Sequence, residues 1–203
     1  VDSVIYPDFP YSHVYAIKEV VEKIPADSVL HLSINDSIRI TNFFKLNPRI
    51  KTYANIGTHG IDGCLSSFLG QAVAGNKQSY LVIGDLAFFY DMNAMRLRHI
   101  KNNVHILLIN NEGGSEFYFN HMWKDKASDL HTTARHHIKA EGWVKSNNFI
   151  YLSAHDKESM QEALKEFMRS DLEKPVFLEV FTEMKTDSDV IYDFFDLSRP
   201  KYV

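Results

Sequence analysis

An aspartate at position 85 and an asparagine at position 111 each follow an apolar run with the character of a strand. Tyr80-Leu81-Val82-Ile83 leads into Gly84-Asp85-Leu86, and Val104-His105-Ile106-Leu107-Leu108-Ile109 leads into Asn110-Asn111-Glu112-Gly113-Gly114. The two residues lie 26 positions apart, which leaves room for one helix between the strands. A helix rises about 1.5 Å per residue and a strand returns about 3.3 Å per residue. The spacing therefore predicts that carboxylate and amide finish at the same edge of a parallel sheet, where ligands of such sheets bind. One carboxylate and one amide oxygen suit magnesium or calcium, which prefer oxygen ligands. Diphosphate oxygens, water and the backbone carbonyl of Gly113 would complete the shell. Glycines at 113 and 114 permit unusual backbone angles. The N–H groups of Leu86 and Ala87, at a helix start, are placed to receive phosphate oxygens. Alone, Asp85 would be an ordinary helix cap and the asparagine pair an ordinary turn. Together, each after an apolar strand, they point to a site.

The rest of the chain supplies the frame. Ser12 can cap a helix carrying Val14, Ile17, Val21 and Ile24 on one face. Pro25-Ala26-Asp27 ends it, and Val29-Leu30-His31-Leu32-Ser33 follows as a strand. A short helix is predicted near 37–45 and a short strand near 50–54. A helix from Asp62 to Ala74 places Leu65, Phe68, Leu69 and Val73 inward, and another near 88–101 joins the two central strands. Phe149 to Leu152 and Val176 to Phe181 are further strands, the second opened by Pro175, where a missing N–H costs least. Lys157 to Met168, between them, is an amphipathic helix. Residues 115–135 resist assignment, and a helix fits near 131–145. Apolar strands alternating with helices predict an α/β fold, a doubly wound, mainly parallel sheet of about six strands with helices on both faces.

The chain's 203 residues suffice for one such domain. Its 45% hydrophobic and 24% charged residues are ordinary for a globular protein. A net charge of −4 gives no electrostatic reason to expect nucleic acid or an anionic membrane as partner. No apolar stretch approaches a membrane span, and no signal peptide is evident. Val1 in place of an initiator methionine points to an excised or processed piece of a longer protein. The single cysteine, Cys64, excludes an intrachain disulfide and fits a reducing, cytoplasmic compartment. It is best placed as a small buried residue on a helix. No Gly-x-Gly-x-x-Gly follows a strand and no P-loop lysine motif is present, which disfavours nucleotide dehydrogenases and P-loop enzymes.

At the two turns the sequence resembles the diphosphate-binding domain of thiamine-diphosphate enzymes, which carry Gly-Asp-Gly and, one helix and one strand later, Asn-Asn. Leu86 stands at the usual third glycine. One branch tolerates that change: SEPHCHC synthase (2-succinyl-5-enolpyruvyl-6-hydroxy-3-cyclohexene-1-carboxylate synthase) of menaquinone biosynthesis. The chain is similar to that branch in Gly60-Ile61-Asp62-Gly63-Cys64-Leu65-Ser66-Ser67, in Gly84 to Ala94 and in Asn110 to Gly114. The resemblance implies magnesium on Asp85, Asn111 and the Gly113 carbonyl, with Gly84, Leu86 and Ala87 beside the diphosphate. It implies that Ile61 props the cofactor into a bent shape, that the His59 carbonyl faces the aminopyrimidine, and that Phe117 lies near the active site. Arg39 matches an anion clamp, and Asn35 stands where the branch has serine. Ile56 replaces a branch arginine that helps hold substrate carboxylates, which argues against isochorismate and 2-oxoglutarate as substrates.

In the family a glutamate on a separate pyrimidine-binding domain activates the cofactor across a homodimer or homotetramer interface. The resemblance assigns this chain to the diphosphate half, as a C-terminal piece of a larger enzyme. Such a piece alone is expected to show no turnover, since Glu112 and Glu116 belong to the metal turn. The implied reaction is decarboxylation of a small 2-oxo acid followed by carbon–carbon bond formation. An acetolactate-synthase-like ligase, a simple decarboxylase and a non-catalytic binding or assembly module of the same fold stay open. His59 is the best catalytic or substrate-contact candidate. His121, His131, His136 and His137 are expected to be solvated helix residues, and Trp123 and Trp143 packing or subunit contacts. Tyr192, Phe194 and Phe195 form an aromatic tail suited to docking on another domain or subunit.

Overall fold

The computed structural model describes residues 6–118 and 130–198. They form a six-stranded, wholly parallel sheet. The strands are β1 (Val29–Leu32), β2 (Lys51–Ala54), β3 (Ser79–Gly84), β4 (Val104–Asn110), β5 (Ile150–Ala154) and β6 (Val176–Phe181), in the order β2-β1-β3-β4-β6-β5. The connecting helices are α1 (His13–Val21), α2 (Asp36–Thr41), α3 (Cys64–Ala74), α4 (Asp85–Asp91), α5 (Ser115–Tyr118), α6 (Glu141–Ser146), α7 (Lys157–Phe167) and α8 (Met184–Ser198).

The doubly wound architecture follows from two-residue alternation in the central strands. Tyr80 and Val82 of β3, with Leu107 and Ile109 of β4, face a core built with α1, α7 and α8. Leu81, Ile83, Ile106 and Leu108 face the opposite core, built with α3, α4 and α6. Both faces are covered, so these strands are apolar throughout. Local signals set the helix ends. The Ser12 hydroxyl accepts from the Tyr15 N–H at the start of α1, and Asp156 and Ser159 form a reciprocal capping box on α7.

Several boundaries differ from the sequence expectation. α2 stops at Thr41, and the helix after β3 starts at Asp85 and gives way to a 3-10 turn at Met92–Arg96. Of the expected helix near 131–145, residues 131–132 and α6 are helical, and 134–139 between them are not. Residues 134–139 are irregular and are held at the sheet edge. There the His136 N–H donates to the Glu112 carbonyl (3.0 Å) and Asn110 Nδ2 donates to the Ile138 carbonyl (2.9 Å). These bonds satisfy backbone groups that a helix would otherwise pair internally. The aromatic tail also differs. Phe194 is buried against Phe9 and Phe43 of its own chain, and Tyr192 and Phe195 pack beside it. α8 therefore docks on its own domain. Cys64 is buried on α3, as expected. No helix of the described residues is long and apolar enough to cross a membrane.

Candidate cofactor-binding site

Adjacent parallel strands bring the two turns together. In the β3–β4 register Gly84 lies opposite Ile109, so the residues just past each strand meet at one edge. Asp85 is buried at the start of α4. Its Oδ2 accepts the backbone N–H groups of Asn111 (3.1 Å) and Gly113 (2.9 Å). Its Oδ1 accepts the N–H of Leu86 at 2.6 Å, so that amide is turned to the carboxylate. The turn itself needs left-handed backbone at Glu112 (φ 65°) and φ 148° at Gly113. A Cβ at 113 would sit 2.6 Å from the Thr133 carbonyl oxygen, which is why a glycine stands there.

The segment 133–139 closes over this turn. His136 Nε2 lies 3.4 Å from Asp85 Oδ2. Its Nδ1 accepts the Ile138 N–H (3.1 Å), so the ring proton of the neutral form belongs on Nε2, facing Asp85. His137 pairs with Glu112 at 3.0 Å. The expectation that His136 and His137 are solvated helix residues is corrected in part: both lie outside a helix, beside the Asp85 turn, and His136 is largely buried, whereas His137 is solvated as expected. His131 is exposed, and Trp143 donates to the Met92 carbonyl as a packing residue (2.9 Å). His121 and Trp123 lie outside the described residues.

Asn111 is buried and its side chain is engaged by a residue from the far end of the chain. Its Nδ2 donates to Asp187 Oδ2 at 2.8 Å. Asp187, on α8, also accepts the His13 backbone N–H (2.7 Å) and the Thr182 hydroxyl (2.6 Å). The His13 ring is buried between two carboxylates, with Nδ1 3.4 Å from Asp187 and Nε2 3.6 Å from Asp36. Burial opposes a charged ring there, but Asp187 and then Asp36 outweigh it and raise the His13 pKa above its ordinary value. Burial likewise pushes Asp36 up, yet His13, Ser115 and Arg39 hold it below the usual carboxylate range.

His13, Asp36 and Asn111 of this network open on one cleft, about 640 Å³ with its open mouth included. Asn35, Ile61, Gly84, Asp85, Leu86, Ala87, Asn111, Gly113 and Phe117 all line it, and His13, Asp36 and Glu116 complete its polar side. Two predicted residues stand apart. His59 is on an exposed turn with φ 54° and does not line the cleft. Arg39 is engaged by Glu116 across the cleft mouth, so its charge is already matched. Ile56, in the place of the branch arginine, is 53% exposed.

The donor set can be tested against a divalent cation. Among the described residues no group of three or more His, Cys, Asp or Glu side chains converges as a metal cage. A cation at this edge would have to draw on an amide, a main-chain carbonyl and the ligand itself. Asp85 spends three of its roughly four acceptor positions on backbone N–H groups, and the Asn111 oxygen is directed away from Asp187. Hard-oxygen chemistry of this kind fits magnesium beside a diphosphate.

Sequence reasoning missed His13, Thr182 and Asp187. For His13 a signal exists: a histidine inside the otherwise apolar face of α1. Asp187 lies in a charged stretch, Glu183 to Asp189, that looks like any solvated helix start.

No family model matches the chain. Curated relatives do, and all three that follow carry the name 2-succinyl-5-enolpyruvyl-6-hydroxy-3-cyclohexene-1-carboxylate synthase. The protein from Bacteroides fragilis is 37% identical over 191 residues, covering 93% of this chain and 34% of the relative. The one from Bacteroides thetaiotaomicron is 34% identical over 197 residues, 96% of this chain and 36% of the relative. The one from Christiangramia forsetii is 34% identical over 193 residues, 95% of this chain and 33% of the relative. The chain is a relative of SEPHCHC synthase. It spans about a third of the length of the curated relatives it matches. A likeness to SEPHCHC synthase that covers 93% of the chain leaves out too few residues to miss either turn of the cleft or Asp187.

Proposed function

We propose that this chain is the diphosphate-binding, C-terminal third of a thiamine-diphosphate- and Mg²⁺-dependent enzyme. That enzyme decarboxylates a 2-oxo acid and joins the resulting fragment to an acceptor. The observation that carries the reading is the convergence of Asp85 and Asn111 at one sheet edge, with the Asn111 amide oxygen turned away from Asp187. Asp85, Asn111 Oδ1 and the Gly113 carbonyl would hold the cation, with Gly84, Leu86 and Ala87 beside the diphosphate. Ile61 would support the cofactor from the opposite wall. When bound, the cofactor supplies the electron sink for decarboxylation. The chain's own part is to bind, orient and exclude water: Ile17, Ile34, Ile109 and Phe117 give the cleft apolar walls around its polar end.

The activating carboxylate would come from a pyrimidine-binding domain of the same enzyme, across a homodimer or homotetramer interface, with the His59 carbonyl facing the aminopyrimidine. The free edge of the sheet suits such a neighbour, since every residue of β2 is exposed and Tyr53 and Ile56 stand out from it. Asn35 and Phe117 lie where a substrate would be held. Arg39 can clamp a substrate carboxylate only by leaving Glu116, and Ile56 offers no second guanidinium. The substrates are therefore a small 2-oxo acid other than 2-oxoglutarate and an acceptor other than isochorismate, and the 203-residue chain alone has no turnover. The test is calorimetry of the intact protein that contains this chain, titrated with thiamine diphosphate and Mg²⁺. Binding is expected in the wild type and lost in Asp85→Ala. Equal binding by Asp85→Ala, or none by the wild type, overturns the reading.

A further inference from the structure

A carboxamide is chemically two-faced. Its oxygen can ligate a hard cation, whereas its NH₂ group can only donate hydrogen bonds. An asparagine therefore serves a cation only if something decides which end faces the site. For Asn111 the backbone does not decide it: the main-chain N–H is fixed on Asp85 (3.1 Å), which leaves the side-chain amide free to flip.

Asp187 supplies the decision. Its carboxylate is wholly buried and stands among three donors: the His13 N–H at 2.7 Å on Oδ1, and the Thr182 hydroxyl at 2.6 Å and Asn111 Nδ2 at 2.8 Å on Oδ2. An ionised carboxylate accepts and never donates. The Asn111 NH₂ must face it, and the Asn111 oxygen must face away. An asparagine at 187 would not do this, because it could present its own NH₂ to the Asn111 oxygen and stabilise the reversed amide. A buried carboxylate is costly to keep, and the acceptor-only property is what distinguishes it here from an amide of the same size. Thr182 belongs to the same unit: it follows β6, and its N–H donates to the Asn110 carbonyl at 3.1 Å. The clamp thus joins the start of α1, the end of β6 and α8 behind a residue at the end of β4.

We infer that Asp187 is a positioning residue that fixes the Asn111 amide with its oxygen toward the cation site, held by the His13 N–H and the Thr182 hydroxyl. This rests on the cofactor reading above. It is tested on the intact protein containing this chain, with Mn²⁺ as the probe and its affinity read by electron paramagnetic resonance in the presence of thiamine diphosphate. Outer-shell partners of this kind are worth about 10- to 100-fold in metal affinity, so Asp187→Asn should weaken Mn²⁺ binding about 10- to 100-fold. The decisive variant is the exchange Asp187→Asn with Asn111→Asp. It restores one acceptor-only group and one amide to the pair, and should recover most of the lost affinity. Asp189→Asn, the same charge change on the exposed side of α8, should leave Mn²⁺ affinity unchanged.

Wild-type affinity in Asp187→Asn overturns the inference. So does an exchange variant no better than Asp187→Asn, because then the loss came from packing and not from amide orientation. A wild type that binds no Mn²⁺ with the cofactor overturns the cofactor reading itself, a different result from an indifferent Asp187→Asn. Should the variants fold poorly, the wild type still decides. Its Asn111 NH₂ protons, followed by NMR without metal, should exchange slowly with water, and rapid exchange overturns the clamp.

Discussion

Glu179 is a carboxylate inside the apolar strand β6, buried and without a lysine or arginine partner among the described contacts. It is held by donors instead. Asn110 Nδ2 donates at 2.7 Å, the Tyr151 hydroxyl at 2.7 Å, and the Ala140 N–H at 3.1 Å to each oxygen. Replacing it by alanine strands the Ala140 N–H, which is fully buried, and the Tyr151 hydroxyl, which is half-buried and can reach water. Asn110 keeps its bond to the Ile138 carbonyl. A stranded buried donor costs about 1–3 kcal/mol. Relief from burying a charge offsets only part of this, so Glu179→Ala should cost about 1–3 kcal/mol. Glutamine should behave differently. Its oxygen can still accept from Asn110 and Ala140, and its NH₂ can donate to the Tyr151 oxygen once that hydroxyl rotates. Glu179→Gln should therefore stay within about 1 kcal/mol of wild type. Urea unfolding followed by near-UV circular dichroism measures both. Equal losses in the two variants, or an alanine cost below that of glutamine, would refute the reasoning. A second reading comes from Tyr151, whose pKa is raised by burial and then by Glu179. In the glutamine variant its phenol should titrate at lower pH than in wild type.

Two further outcomes follow from the same geometry. Gly113→Ala puts a Cβ 2.6 Å from the Thr133 carbonyl oxygen and 2.8 Å from Met184 Cε, at a φ of 148°. It should cost about 2–3 kcal/mol in urea unfolding and shift the Asp85 turn, and wild-type stability would show that the turn is not tight. His31 and His105 are pushed down by burial from the ordinary 6.5 to about 4. Between these values the unfolded chain takes up protons that the native rings refuse, so their contribution to stability is lost as pH falls from about 6.5 toward 4. For the fully buried His105 this is on the order of 3 kcal/mol. Ring NMR titration should find both neutral at pH 5, and a midpoint near 6.5 in either would contradict the burial argument. His13, whose pKa is raised, carries the opposite sign and is read separately in the same spectra.

Much of the cleft could be read along the chain because it is built from local rules repeated. Apolar runs announce β3 and β4, strand length fixes where they end, and parallel pairing through one helix brings Asp85 and Asn111 to the same edge. The glycine at 113 was legible for the same reason: a turn of that hand excludes a side chain. The segment 133–139 was not legible, because its backbone groups bond to Glu112, Gly114, Asn110 and the His136 ring and not along a helix. Histidines that look helical in sequence therefore stand beside Asp85 and Glu112. The aromatic tail misled for a related reason, since an exposed-looking stripe on α8 is covered by Phe9 and Phe43 from the start of the chain.

The sequence by itself determined the doubly wound sheet, the two strand ends and the meeting of Asp85 with Asn111 at one edge, since each depends on periodicity and spacing within one βαβ unit. Only the tertiary structure decided which way the Asn111 amide faces. That choice rests on Asp187, 76 positions from Asn111, and on a His13 N–H 174 positions from Asp187. Such contacts are set by the order of strands in the sheet and the helices laid across it. No local propensity encodes them, because a buried carboxylate acquires its role only from the donors that the fold brings around it.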